Sequence, residues 1–431
     1  MTNIPDIESR SPGEIRQYQE RNLREALQYV SANSPFYKEL FRQHNVSLHA
    51  DFALSDLPQL PVTTKDDLQR NNWDFLCVPR EQIIEFTSTS GTLGQPVTIA
   101  LTEKDLKRLA YNEAISFACA DGSRSDLYQL MLTLDRQFMA GIAYYEGIRR
   151  LGAGIVRVGP GLPALQWETI ERLKPTVLVA VPSFIVKLIE HAAVNGIDLN
   201  ASSVKKAICI GESLRDPDLE LNALGKRIKE QWDIKLYGTY ASTEMQTAFT
   251  ECIHGKGGHH HPELIVVELL DEYNNPVGDG QPGEVTITSL GVEGMPLVRY
   301  KTGDVAMAYY DACPCGRNTL RLGPVLGRHQ QMIKLKGTTI YPPGIFDILN
   351  QMSALKDYVV EVFSGDLGTD ELRLFLLTED QQDDVAKELK GIFQSRLRVV
   401  PMLEFVDHLE IERLQQGDKT RKIKKFIDRR K

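Results

Sequence analysis

Apolar and polar positions along this chain change period several times, and each change marks a boundary. Short apolar runs at residues 127–132, 155–158, 177–181 and 207–210 read as buried strands. Helical spacing occupies 138–151, 162–173, 183–193 and 217–232, and an earlier helical stretch covers 14–44. Strand and helix in alternation predict layered α/β structure. From residue 265 the period shortens to that of strands. Runs at 265–270 and 283–289 are separated by Asn274-Asn275-Pro276 and Asp279-Gly280 turns. Beyond Gly327-Arg328, strands at 358–363 and 372–378 and a helix at 383–397 predict a compact α+β unit. The expected division is a large N-terminal domain over 1–327, with a β-rich subregion, and a small C-terminal domain over 328–431.

Between two short predicted strands, at 83–86 and 97–101, lies Thr87-Ser88-Thr89-Ser90-Gly91-Thr92-Leu93-Gly94-Gln95-Pro96. Two glycines let backbone N–H groups crowd around an anion, and the hydroxyls add donors. That is phosphate-binding chemistry on a hairpin. It is not a Walker A loop, because no Gly-Lys-Ser/Thr follows. A polar surface hairpin is the plainer alternative.

Composition narrows the class of partner. The 431 residues carry 58 acidic and 50 basic side chains, a net charge of −8, which is no signature of nucleic-acid binding. No apolar run reaches the length of a membrane span, and the polar start of the chain does not resemble a signal peptide. Six cysteines in a chain of this size do not suggest a disulfide scaffold. A reducing, cytoplasmic setting is expected, with small molecules as partners and a homodimer as the oligomeric expectation.

Three further motifs carry chemistry. Tyr237-Gly238-Thr239-Tyr240-Ala241-Ser242-Thr243-Glu244 offers an aromatic face for a base and a carboxylate for a metal–phosphate group. Arg299-Tyr300-Lys301-Thr302-Gly303-Asp304 places an aspartate at a tight turn, fit to accept from a vicinal diol. Gly327-Arg328 is followed by the basic Lys334 and Lys336 and by Gly337. Singly, these read equally as a strand end, a turn and a solvated basic face.

A separate constellation joins Cys252, His254 and His259-His260-His261 with Cys313-Pro314-Cys315. Thiolates on one tight turn, with a thiol and an imidazole from another, suit tetrahedral zinc. Free thiols beside a histidine run are the alternative. Cys119 and Cys209 read as small buried apolar residues.

In order and spacing, the loop and the three motifs together resemble the adenylate-forming superfamily of acyl-CoA synthetases, and most closely its phenylacetate–CoA ligase branch, across nearly the whole chain. The resemblance implies an ATP-dependent CoA ligase acting on an aromatic or related small carboxylic acid, with AMP and pyrophosphate as products. It implies that Thr89, Ser90, Gly91, Thr92 and Gly94 cradle the outer phosphates, with Leu93 and Gln95 replacing the family's threonine and lysine. Gly211-Glu212-Ser213 would flank adenine. Tyr240 would stack on it, within Tyr240-Ala241-Ser242-Thr243-Glu244, and Glu244 would bind Mg2+; Tyr237 is the competing register. Asp304 would hold the ribose hydroxyls and Arg328 the ribose–phosphate region.

The small domain of the superfamily rotates between half-reactions, which implies that Lys334, Lys336 and Gly337 face coenzyme A. Gln330 stands where an acidic hinge residue is common. The late catalytic lysine is matched to Lys419, with Lys422, Lys424 and Lys425 beside it. Phe138, Gly141, Ala143 and Tyr144 fall in the acid-binding segment. Asp135-Arg136 there either selects a polar substituent or forms an ion pair capping the next helix. The branch includes members with a Cys…His…Cys-x-Cys pattern, which implies zinc held by Cys252, His259, Cys313 and Cys315; His254, His260 and His261 are alternatives. Two other functions fit the same motifs. One is transfer of the acyl group to a carrier protein or an amine, and the other is a non-catalytic nucleotide-binding regulatory protein.

Overall fold

Capping chemistry sets the first helices. Ser11 opens α1 (Pro12–Asn33) with a capping box to Glu14, and Ile15, Leu23, Leu27 and Val30 form its buried face. The expected single helix over 14–44 is two helices. Ser34 accepts from the Tyr37 N–H and starts α2 (Pro35–Gln43), because Pro35 cannot continue the preceding helix. A short helix, α3 (Lys65–Asn71), follows Thr64. Strands β1 (Ile83–Ser88) and β2 (Thr98–Thr102) then pair as an antiparallel hairpin.

The computed structural model describes residues 4–89, 97–328, 331–335, 338–364, 370–397, 399–415 and 424–430. The chain divides into two compact units, Met1–Val325 and Leu326–Lys431. No helix among the described residues is long and apolar enough to cross a membrane.

The first unit is built on a nine-stranded sheet. Its parallel part follows the α/β alternation: α4 (Glu103–Cys119), β3 (Leu127–Leu130), α5 (Met139–Leu151), β4 (Gly154–Arg157), α6 (Pro163–Leu173), β5 (Val177–Ala180), α7 (Pro182–Asn195), β6 (Lys206–Cys209), α8 (Ala223–Gln231) and β7 (Lys235–Ser242). Strands β5 and β6 are buried along their full length, as strands covered by helices on both faces must be. The helix expected from residue 217 begins only at Ala223. Asp216 instead accepts from the N–H groups of Asp218 and Glu220 and holds a turn.

The sheet continues antiparallel through β8 (Thr247–Glu251) and β9 (Gly258–His259). Three further strands, β10 (Ile265–Leu270), β11 (Gly283–Ser289) and β12 (Tyr300–Ala306), pair antiparallel in chain order. Short strands β13 (Ala308–Tyr309) and β14 (Arg321–Leu322) pair with each other, and β14 closes onto β9.

The second unit starts at β15 (Gly327–Arg328), and β16 (Ile333–Leu335) pairs with β17 (Thr338–Ile340). Helix α9 (Pro342–Gln351) precedes β18 (Leu355–Ser364) and β19 (Asp370–Thr378), an antiparallel pair over their whole length. Helix α10 (Gln382–Leu397) buries Val385, Leu389 and Phe393 in the core of this unit. Strand β20 (Met402–Phe405) adds beside β19, and β21 (Phe426–Asp428) beside β18.

Candidate functional site

Strand β7 changes partner midway. Cys209–Gly238 is the last parallel pair with β6, and Thr239–Thr250 the first antiparallel pair with β8. This change falls at the carboxyl end of the parallel strands, the side of an α/β sheet on which ligands bind. Tyr240 lies one residue beyond it. Its ring stacks on Phe249, with centroids 6.0 Å apart and planes at 30°, and its hydroxyl donates to Asp304 Oδ2 at 2.8 Å. The base-binding and diol-binding candidates are therefore neighbours, although 64 positions separate them. Tyr237, the competing register, is packed in the core behind the sheet.

Each polar group stands on a strained or braced turn. Asp304 follows Gly303, whose φ of +81° favours glycine. Residues 302–304 bulge opposite Val285, and Glu284 accepts from the Gly303 N–H at 3.1 Å. Gly211, with φ +72°, turns the chain after β6. Glu212 then accepts from the Ser183 N–H (2.9 Å) and hydroxyl (2.8 Å), at the start of α7. Ser213 is half-buried and donates to the Arg215 carbonyl.

Glu244 sits in the turn 243–246 that joins β7 to β8, only 9% exposed. Ser242 Oγ accepts from the Met245 N–H, closing the turn. Arg108 of α4 holds it from behind. Its guanidinium donates to the carbonyls of Gln246 (2.8 Å), Leu290 (2.8 Å) and Leu264, and to Thr247 Oγ1. Burial presses the Arg108 pKa down to about 10. Asn112, one turn on, accepts from the Ala248 N–H. Across the turn, Lys65 Nζ lies 3.8 Å from Glu244 Oε1. Neither Arg108 nor Lys65 is marked locally as functional. Arg108 reads as one more charge on a helix surface, and Lys65 as a residue after a cap.

Thr89 closes the β1–β2 hairpin: its N–H donates to the Val97 carbonyl, and its Oγ1 accepts from the Val97 N–H at 3.1 Å. Ser90, Gly91, Thr92, Leu93, Gly94 and Gln95 lie outside the described residues, as do Gln330, Lys336, Gly337, Lys419 and Lys422. In the second unit, Arg328 is half-buried on β15 and Lys334 lies on β16.

In the expected acid-binding segment, Ala143 and Tyr144 are packed inside the core. The Tyr144 ring meets Phe117 edge-on at 5.6 Å. Gly141 is needed where it stands, since a Cβ there would sit 2.7 Å from Leu134 Cα. Half-buried Phe138 precedes α5. Asp135 and Arg136 form a long pair at 3.9 Å, both exposed, and neither side chain caps the helix.

The sheet extension that carries Tyr240 also carries the cysteine cluster. Cys252 follows β8 and His259 lies on β9, while Cys313 and Cys315 share the turn before β14. One donor atom from each lies within 4.8 Å of the other three. Cys252 Sγ is 3.6 Å from Cys313 Sγ, and Cys315 Sγ is 3.5 Å from His259 Nε2. Gly316, with φ +95°, makes the turn, and its N–H donates to the Cys313 carbonyl. His260 is engaged with the Ile265 carbonyl, His261 with Glu8 and Ser116, and His254 is exposed. Of the four histidines, only His259 joins the thiols.

The donor set suits a soft divalent ion. Burial lowers the His259 pKa and keeps the imidazole neutral, and hydrogen bonding from Cys252 holds the Cys315 pKa well below the thiol range. Thr319 Oγ1 lies 3.4 Å from His259 Nδ1, leaving Nε2 toward the thiols. Arg317 donates to Cys315 Sγ at 3.6 Å and to Glu8 Oε2 at 2.6 Å. Burial alone would raise the Glu8 pKa, but His261 and Arg317 outweigh it and hold the carboxyl low. Glu8 and Arg317 escape a reading of motifs because 309 positions separate them.

The family described as AMP-binding enzyme matches residues 33–294. The chain belongs to that family. Within it, the phenylacetate-coenzyme A ligase of Thermus thermophilus is 30% identical over 351 residues, covering 80% of this chain and 77% of that protein. The phenylacetate-coenzyme A ligase of Aromatoleum evansii is 26% identical, over 99% of this chain and 97% of its own. The chain is a member of this phenylacetate–CoA ligase branch of the adenylate-forming enzymes. Among solved structures, 2-hydroxyisobutyryl-CoA ligase in the postadenylation state shares the fold, with TM-score 0.85, 23% identity and 98% of this chain covered against 91% of that one.

Proposed function

We propose that this chain is an ATP-dependent, AMP-forming acid–CoA ligase for an aromatic or related small carboxylic acid. The observation that carries the reading is the meeting of Tyr240, Asp304 and the Glu244 turn at the partner change of β7, in a chain of this family. In the first half-reaction a carboxylate oxygen of the acid attacks the α-phosphorus, the bond to the β-phosphate breaks, and pyrophosphate leaves. In the second, the thiol of coenzyme A attacks the acyl carbonyl, gives up its proton, and AMP leaves.

Tyr240 offers its ring to adenine, flanked by Gly211, Glu212 and Ser213, and Asp304 accepts from the ribose hydroxyls. Thr89 and the loop after it serve the outer phosphates. Glu244 would hold Mg2+, which supplies positive charge at the phosphates. Arg328 serves the ribose–phosphate region, Lys419 the adenylation step, and Lys334, Lys336 and Gly337 coenzyme A. Phe138 and Gly141 border the acid. Positioning and charge neutralisation account for most of the barrier lowering such a reaction needs.

Cys252, His259, Cys313 and Cys315 would hold zinc. Four protein donors leave no open position, so the ion would tie β8, β9 and the 313–316 turn together without taking part in the reaction. The six free cysteines accord with a cytoplasmic setting.

A panel of carboxylic acids tests the reading. ATP with the right acid should release pyrophosphate, and added coenzyme A should give the acyl-CoA mass. Pyrophosphate without a thioester would move the acceptor to a carrier or an amine. ATP binding without pyrophosphate from any acid would make the chain a nucleotide-binding protein.

A further inference from the structure

We propose that Lys65 is a catalytic residue of the adenylation step, a cation that the first unit itself presents to the outer phosphates of ATP. The inference rests on the reading of Glu244 as part of the nucleotide site.

Two anchors fix the backbone of Lys65. Thr64 caps α3: its N–H (2.9 Å) and Oγ1 (2.7 Å) donate to Asp67 Oδ2, and its Oγ1 accepts from the Asp67 N–H. Thr63 is strapped to the start of β12. Its N–H donates to the Arg299 carbonyl at 3.0 Å, its carbonyl accepts from the Lys301 N–H at 2.8 Å, and its Oγ1 donates to the Val298 carbonyl. Leu68, fully buried, seats the helix. The strand that carries Asp304 therefore also carries the base from which Lys65 reaches.

A stability argument alone does not put lysine there. The first turn of a helix disfavours a cation, since its free N–H groups already leave that end positive. Asp66 and Asp67 fit this rule and Lys65 breaks it. A residue that breaks a local rule at a braced position points to function.

The contact with Glu244 has the form of a pair that a ligand can divide. At 3.8 Å it is an ion pair longer than a hydrogen bond. The Lys65 side chain keeps 30% of its exposure while that of Glu244 keeps 11%. Lysine is a point charge on a flexible stem, able to leave one acceptor for another nearby. Glu244 would hold Mg2+, which would supply charge neutralisation there, and the Lys65 ammonium would then be free to donate to phosphate oxygens of the nucleotide. There it donates hydrogen bonds and stabilises the charge that collects on the departing pyrophosphate. No proton is transferred.

The test is nucleotide binding, read by calorimetry on the full chain without acid. Lys65→Met keeps the length of the stem and removes the charge. It should weaken binding of ATP with Mg2+ at least tenfold and that of AMP less than twofold, because AMP lacks the outer phosphates. Thioester formation from supplied acyl-adenylate and coenzyme A should stay at the wild-type rate. Lys65→Arg should recover part of the ATP affinity. If Lys65→Met does not fold, Lys65→Gln takes its place, with the same expectations.

Equal weakening of ATP and AMP, or of neither, overturns the inference. Glu244→Gln separates this from failure of the site. ATP affinity reduced in Glu244→Gln alone removes Lys65 and keeps the site, whereas ATP affinity reduced in neither variant removes both.

Discussion

The proposed nucleotide site and the cysteine cluster grow from the same antiparallel extension, β7 to β9, yet they are held in opposite ways. The Glu244 turn is held from outside, by Arg108 of α4. Tyr240 is braced by Phe249, and Asp304 stands on a bulge. Tyr240 and Asp304 bond to each other at a strand-partner change, and the Glu244 turn follows directly after that strand. In the cluster the donor atoms face one another, and Arg317 and Glu8 close the shell around them. A site that exchanges ligands must draw its rigidity from residues that the ligands do not touch. A site that keeps one ion can be rigid through the ion itself.

Four variants break or sharpen this contrast. Glu244→Gln should lower acid-dependent pyrophosphate exchange by about a hundredfold to a thousandfold, the usual loss of a preorganised charge contact. Its thermal midpoint should stay near wild type, since the long pair with Lys65 contributes little to folding. Near wild-type exchange would remove Glu244 from the site.

Arg108→Met should damage both properties. It takes the guanidinium donor from the buried carbonyls of Gln246 and Leu290, a cost of roughly 2 kcal/mol or more, and frees the turn that carries Glu244. Denaturant unfolding and ATP binding should both weaken. A variant as stable as wild type would mean that the turn is braced elsewhere.

Cys313→Ser should do the reverse of Glu244→Gln. Metal analysis of wild-type protein purified without chelators should give about one zinc per chain, and the variant should lose it. The melting midpoint should fall by a few degrees while pyrophosphate exchange at low temperature changes little. Absence of zinc from the wild type would end the metal reading.

Tyr240→Phe should show the smallest effect. The ring still stacks, and the hydrogen bond to Asp304 is lost, a net effect of about 0.5–1.5 kcal/mol because water can replace it. The Michaelis constant for ATP should rise less than tenfold with the turnover number nearly unchanged. A large fall in turnover would place the hydroxyl in the chemistry.

The local vocabulary of this protein can be read along its chain. Apolar runs marked β3, β5 and β6, because a strand buried on both faces shows an unbroken apolar stretch. A shift to β character between turn residues marked β10 and β11 over their full observed extents. Tyr240, Glu244, Asp304 and the two-cysteine turn lie in short motifs that read singly as ordinary turns and strand ends, and their order along the chain carries the resemblance that implies their roles. Where prediction and structure part, over 14–44 and 217–222, a cap or an aspartate turn interrupts an apolar period that the period alone carries on through.

Which histidine joins the thiols is settled by the fold. His259, His260 and His261 are adjacent and chemically identical, but β9 ends at His259 and the next two imidazoles turn to other partners. His259 meets Cys315 and His260 the Ile265 carbonyl. Likewise, nothing near Arg108, Lys65 or Glu8 in the chain marks them. Their roles arise from partners 138, 179 and 309 positions away, and a side chain's work is set by what the fold brings within a few ångströms of it.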